Sequence, residues 1–260
     1  TAYRRQRQMC IRDSSLIDIF HLSDEQMNIL FSSRIPRTVS ILLSGSSLAL
    51  SGLIMQQMMQ NKFVSPTTAG TMEWAKLGIL LSLLFFPNGH ILIKLLFAVV
   101  LSIVGTFLFV QLINLIRAKD VIFVPLLGIM IGGILSSFTT FVALRTNALQ
   151  SIGNWLTGNF AVITSGRFEV LYLTIPLLIL AFVFANHFTI AGMGKDFSHN
   201  LGVSYEKIIK IALFITATLT ALVVVTVGIL PFLGLIVPNI ISIYSCLLYT
   251  SPSPRDKRQS

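Results

Sequence analysis

The sequence predicts an all-α fold, a polytopic transmembrane helical bundle, and three observations predict it. Hydrophobic residues make up 54% of the 260 residues and charged residues 11%, whereas a water-exposed domain usually carries about 25% charged residues. The mean hydropathy is +0.81. Four stretches, residues 39–59, 91–115, 121–144 and 208–230, stay apolar over the ~20 residues a helix needs to cross a bilayer. This composition excludes a soluble enzyme, a disordered chain and a disulfide-built secreted module. The formal charge of +9 does not point to nucleic acid, because no soluble domain is left to carry a basic face. Strands are the competing reading, but a membrane barrel alternates polar and apolar positions over about ten residues. Residues 79–86 and 219–230 do not alternate.

The two ends are expected to be foreign to the bundle. Met9 to Ser14 can be encoded by ATG TGT ATA AGA GAC AG, and the reverse complement of that word reads, in another frame, as Cys246-Leu-Leu-Tyr-Thr250. One DNA word in two orientations thus accounts for both ends, and it resembles the transposase-end adapter of short-read libraries. Residues 1–14 and 246–260 are therefore set aside as adapter-like, leaving residues 15–245 as a transmembrane fragment open at both ends. The plain alternative is a basic arm and a polar tail. Within residues 15–245 there are 12 basic and 8 acidic residues, a net +4, and no cysteine, since Cys10 and Cys246 lie in the ends. No disulfide, thiol nucleophile or cysteine metal site is expected there.

Along the chain, Ser23 with Gln26 three residues on reads as a capping box opening a short polar helix that ends near Ser33. The span over 39–59 follows. Residues 77–86 are apolar but need 67–76 to complete a crossing. Residues 91–115 and 121–144 are full spans, and 147–159 is amphipathic around Ile152, Trp155 and Leu156, with Trp155 suited to an interface. Residues 170–185 form a compact span, 186–210 the longest hydrophilic stretch, and 208–230 another full span. The last, 231–244, is broken by two prolines. Seven spans result. With residue 39 outside, the inner loops hold Lys62, Arg117, Lys119, Lys195, Lys207 and Lys210. The outer ones hold Arg34, Arg37, Lys94, Arg145 and Arg167, a weak bias in the positive-inside sense.

Few residues carry chemistry. Ser40, Ser44, Ser47 and Ser51 share one stripe of the first span, beside Gly45, Ala49 and Gly52. Small residues at this spacing let backbones approach closely, and the serines can also line a path. Gln56, Gln57, Gln60 and Asn61 cluster at that span's far end, either marking the water interface or meeting a polar solute. Ser47, Ser51, Gln56 and Asn61 are the candidates for a translocation path. Glu73 and Lys76, three apart on a helix, can pair. Apart from Glu73 the spans hold essentially no acid, which argues against proton-coupled transport. His21, His90, His187 and His199 lie in linkers or span ends at no metal-ligand spacing, and no phosphate-binding glycine pattern occurs. No cofactor and no metal are expected, and an ATPase has to be sought on another chain.

Several motifs, in order, resemble the FecCD-type permeases that import iron chelates, haem and vitamin B12 in bacteria. They are Arg34-Ile-Pro-Arg37; Gly52-Leu-Ile-Met-Gln56 followed by Asn61, Ser65-Pro66 and Gly70; Trp155-Leu-Thr-Gly158; Gly194-Lys-Asp-Phe-Ser-His-Asn-Leu-Gly202; and Phe232-Leu-Gly-Leu-Ile-Val-Pro238. The run from Gln56 to Gly70 most resembles the petrobactin-like branch of ferric-siderophore permeases. The resemblance implies a ten-span fold, of which about seven spans are present here. It also implies a second permease subunit, a cytoplasmic ATP-binding-cassette ATPase and an extracellular substrate-binding lipoprotein, all at the bacterial plasma membrane. Arg34 and Arg37 match the arginines that face the binding protein's carboxylates, with Pro36 stiffening the linker between them. Gly194 to Gly202 match the segment that docks on the ATPase, with Leu201 as its apolar knob, Lys195 and Asp196 at the rim, and Ser198 within it. This sequence departs from the family at Asp196-Phe-Ser198, where Glu-x-Ala is usual. It departs also at Pro238-Asn-Ile-Ile-Ser242, for Pro-His-x-x-Arg, and at Asn61-Lys62-Phe63, for Asn-Pro-Leu. The expected function is the permease subunit of an ATP-driven importer of an iron–siderophore complex, not itself an enzyme. The alternatives are a secondary transporter of a small solute, a membrane-embedded enzyme, or an inactive truncated fragment.

Overall fold

The computed structural model describes residues 27, 30–116, 122–160, 163 and 168–249. The capping box at Ser23, the loop cations Arg117, Lys119 and Arg167, His21, residues 1–14 and residues 250–260 lie outside the described residues. Cys246 to Tyr249 fall in the last helix, so the backbone continues helically through the start of the adapter-like end.

A π-helical turn, Leu30–Arg34, leads into α1, Ile35–Met58. Then come α2, Thr71–Phe85; α3, Ile91–Ile116; α4, Phe123–Arg145; and the short α5, Leu149–Leu156. A 3-10 turn, Phe168–Leu173, precedes α6, Thr174–Val183, and α7, Ala185–Gly192. The chain ends with α8, Lys195–Asn200; α9, Tyr205–Thr226; and α10, Leu233–Tyr249. Among the described residues there is no strand, only an isolated parallel bridge between Thr157 and Ile229.

Helix α9 is the axis of the bundle. Its apolar window is 72% buried, against 28% for α3 and 22% for α4. It packs on α1, α2 and α3, while α10 packs on α1 and α4 on α2. Two buried clusters run its length. One joins Leu48, Ala221 and Val224, the other Ile54, Phe188 and Leu219. Hydroxyls stitch neighbours together where no water can: Ser102 donates to the Ala217 carbonyl across α3 and α9 at 3.1 Å, and the Thr71 and Thr106 hydroxyls meet at 2.8 Å.

Among the described residues, fewer helices than the seven spans expected are by themselves long and apolar enough to cross a membrane. Four described helices, counting α1 with its π turn, are long and apolar enough to cross alone; a fifth arises if residues 168–192, bent by 56° at Phe184, count as one span. Helix α2 has 15 residues and α10 has 17; at ~1.5 Å per residue each falls short of the ~30 Å hydrocarbon core. Residues 67–70 do not extend α2. The Ser65 and Thr68 amides and hydroxyls bond one another, and Gly70 takes a left-handed conformation at the helix N-cap. Helix α9 stops at Thr226 rather than 230, because the Ile229 amide donates to the Leu156 carbonyl instead of continuing the helix. Phe232 takes a left-handed conformation at φ 61°, which a helix cannot include, so α10 begins only at Leu233, against the second half of α1. There Gly234 lies backbone to backbone on Leu48 and Gly52, and a Cβ on Gly52 would coincide with the Gly234 carbonyl. That close approach is why both positions are glycine.

Candidate functional site

The two clusters of expected site residues fall at opposite ends of α1. At one end, Arg34 is exposed and Arg37 half-buried. Pro36 is not in a linker: it is buried in the first turn of α1, directly after the π turn Leu30–Arg34. Arg34 and Arg37 are thus one helical turn apart on a rigid helix start. The Arg37 Nε donates to the Phe160 carbonyl at 3.2 Å, tying α1 to the chain after α5. The Trp155-Leu-Thr-Gly158 motif lies beside this contact. Its backbone bridges to Ile229, and the Lys94 ammonium sits 4.5 Å from the Trp155 ring centroid. Between Asn154, Trp155, Asn159, Thr226 and Val227 is a cavity of about 470 Å³.

At the other end, α8 carries the residues expected to meet an ATPase. Gly194 (φ 108°) precedes it and Gly202 (φ 72°) ends it. The Val203 amide donates to the Ser198 carbonyl at 2.9 Å and the Gly202 amide to the His199 carbonyl at 3.0 Å. This is the paired bond pattern of a helix stopped by a left-handed residue, and glycine adopts that conformation without a Cβ clash. Lys195, Asp196, Phe197 and Leu201 are exposed, Leu201 at 54%. Ser198, expected among the contact residues, is fully enclosed. Its hydroxyl donates to the Gly194 and Ile190 carbonyls at 2.8 and 3.2 Å, so it folds the segment from within. Lys195 and Glu206 pair at 3.7 Å on the rim of a cavity of about 400 Å³ that His199 and Tyr205 also line.

The path candidates divide. Ser47 and Ser51 are completely enclosed between helices, and their hydroxyls have no hydrogen-bond partner. Gln56 lies in the last turn of α1 and Asn61 in the folded loop after it. The Gln56 amide donates to the Lys62 carbonyl at 2.8 Å, and Asn239 of α10 donates to the same carbonyl at 3.1 Å. The Asn61 Oδ1 accepts from the Phe63 amide at 2.9 Å.

Two further features are visible only in the fold. The Gln60 side-chain amide reaches across to the Gly192 carbonyl at 2.8 Å, joining the α1 end to the start of the α8 segment. The ammonium of Lys76, itself 3.7 Å from Glu73, donates to Ser136 of α4 at 2.8 Å. The amide cluster and the charged pair are visible in the sequence, but their partners lie 132 and 60 residues away. Among the described residues no group of acidic, histidine or cysteine side chains could hold a metal ion.

Comparison with known proteins accords with this arrangement. The chain is 52% identical to the petrobactin import permease YclN of Bacillus subtilis (strain 168), over 90% of this chain and 74% of that one. It is 39% identical to the petrobactin import permease FatD of Bacillus anthracis, over 85% of this chain and 66% of that one. It is 36% identical to the ferric-anguibactin permease FatD of Vibrio anguillarum, over 82% and 68%. The fold matches a solved transporter described as of metal-chelate ABC type, in an inward-facing conformation, with a TM-score of 0.67 over 84% of this chain and 71% of that one, at 22% identity. The model of the FecCD transport family matches residues 10–248, and the chain is therefore a member of that family.

Proposed function

We propose that this chain is the membrane permease subunit of an ATP-binding-cassette importer that carries an iron–siderophore complex across the bacterial plasma membrane. The observation that carries this reading is the 52% identity to a petrobactin import permease, joined by permeases for petrobactin and ferric anguibactin in two other species. The fold supports it with a bundle of apolar helices bearing a basic helix start at one end and an exposed, apolar-tipped short helix at the other.

In this reading Arg34 and Arg37 receive carboxylates of an extracellular binding lipoprotein. Residues 194–202 dock on a cytoplasmic ATPase, with Leu201 and Phe197 as the apolar contact and Lys195 and Asp196 around it. A second permease subunit completes the path, and Gln56 and Asn61 stand near its inner mouth. Ser47 and Ser51 reach the path only if α1 and its neighbours part, since both are enclosed here. The test is uptake of radiolabelled ferric siderophores by cells whose own petrobactin permease is deleted and which express the full-length gene. Ferric petrobactin uptake is expected to be restored and ferric citrate uptake not. Restoration of neither, with the permease present in the membrane, would refute the substrate assignment.

A further inference from the structure

We propose that Gln60 is a positioning residue that ties the ATPase-docking segment to the inner end of α1, so that movement of one is delivered to the other. The proposal rests on the reading of residues 194–202 as the docking segment. It starts from an oddity of backbone conformation. Helix α1 ends with the Gln60 amide donating to the Gln57 carbonyl at 3.2 Å and the Asn61 amide to the Gln56 carbonyl at 3.0 Å. This is the bond pair that stops α8 at Gly202, and it places Gln60 in the left-handed region at φ 49°. Glycine, then asparagine, takes that position at least cost. A glutamine there is unfavourable for the backbone, which directs attention to what its side chain contacts.

That side chain has one described partner. Its Nε2 donates to the Gly192 carbonyl at 2.8 Å, two residues before α8 is capped by Gly194. The contact is close in the backbone too, since a Cβ on Gly192 would meet the Gln57 carbonyl at 3.2 Å. From Gln60 the connection runs onward. The next residues, Asn61 and Lys62, form the loop whose Lys62 carbonyl is held jointly by Gln56 and by Asn239 of α10. Displacement of α8 toward or away from the membrane therefore pulls on Gly192, then on Gln60, and through the loop on both α1 and α10.

Glycine suits the backbone at this position and lacks the amide, which separates the two roles. The experiment uses the full-length permease, reconstituted in liposomes with its ATPase and binding protein. It compares Gln60→Gly and Gln60→Asn with the parent, each also carrying Leu201→Cys for crosslinking to the ATPase. Both variants are expected to melt no lower than the parent, to crosslink normally and to hydrolyse ATP at an unchanged rate. Transport per ATP is expected to fall by about two- to tenfold, the range that one hydrogen bond supplies to an equilibrium. The shorter asparagine amide is expected not to rescue it. Unchanged transport per ATP with crosslinking intact overturns the tie alone. A lower melting temperature in Gln60→Gly also overturns it, by showing a structural role. Failure of Leu201→Cys to crosslink in the parent overturns the docking assignment itself, and the tie with it.

Discussion

Breaking the Glu73–Lys76 pair one partner at a time should reveal which charge depends on the other. The two groups are 3.7 Å apart, with side chains 26% and 14% exposed, on a helix surrounded by apolar neighbours. Removing one member of a buried pair costs ~3–5 kcal/mol because a charge is left uncompensated. A single charge at the centre of a membrane helix costs ~2.5–3.5 kcal/mol by insertion scales. The two residues are not equally exposed to that loss. In Glu73→Gln the Lys76 ammonium keeps its bond to Ser136 at 2.8 Å, and the partial exposure of the site trims the cost to about 1–2 kcal/mol. In Lys76→Met the Glu73 carboxylate is left with a buried Oε2 that has no hydrogen-bond partner. Its position in the first turn of α2 returns only ~0.3–1 kcal/mol from the helix dipole. A loss of about 2–3 kcal/mol is expected there, which is about 4–12 °C in melting temperature for a chain of this size. The double variant removes both charges and should lose less than the sum, with a coupling of at least ~1 kcal/mol. The assay is thermal melting of the detergent-solubilised full-length permease for all four forms. Single losses that add to the double within ~0.5 kcal/mol, or a larger loss for Glu73→Gln, would refute the reasoning.

Three other outcomes follow from the geometry together with the proposed function. Gly52→Val should disrupt the α1–α10 crossing, since even a Cβ there coincides with the Gly234 carbonyl; melting should show a loss of at least ~1–3 kcal/mol, whereas Gly45→Ala, with open space around it, should melt like the parent. Arg34→Glu should weaken binding-protein docking in a salt-dependent way without affecting folding, while Arg37→Glu should also lower the melting temperature because it loses the bond to the Phe160 carbonyl; equal melting of the two would contradict this division. Leu201→Cys should react with a polar maleimide applied to the cytoplasmic face and Ser198→Cys should not, because Ser198 is fully enclosed; fast labelling of both would mean that α8 does not hold its conformation.

How legible these features were depends on how far away their causes lie. Helices α1, α3, α4 and α9 could be read directly, because a long apolar run in lipid has no alternative that pairs its backbone. The bounds of α8 have a local cause as well: Gly194 and Gly202 adopt conformations that other residues resist. The short helices were harder. Whether residues 67–70 continue α2 turns on the Ser65–Thr68 bonds, and whether 227–230 continue α9 turns on the Leu156 carbonyl, 73 residues away in sequence at Ile229. Apolarity says that such a segment is buried, not how its backbone runs. The sites show the same split. Arg34, Pro36 and Arg37 were visible as a group, yet the bond of Arg37 to Phe160 was not, and Ser198 looked like a surface residue because its neighbours are polar. The partnership of Gln60 with Gly192 leaves no local trace at all beyond an amide among other amides.

The central claim is that this chain belongs to a pump driven by ATP on a partner subunit, not by an ion gradient. The most direct measurement is uptake of ferric petrobactin into liposomes holding the full-length permease and its ATPase, with the binding protein outside and ATP supplied inside. Uptake that needs both ATP and the binding protein, and persists when proton and sodium gradients are collapsed, is the predicted result. Uptake that proceeds without ATP and stops when an ion gradient is removed would contradict the account.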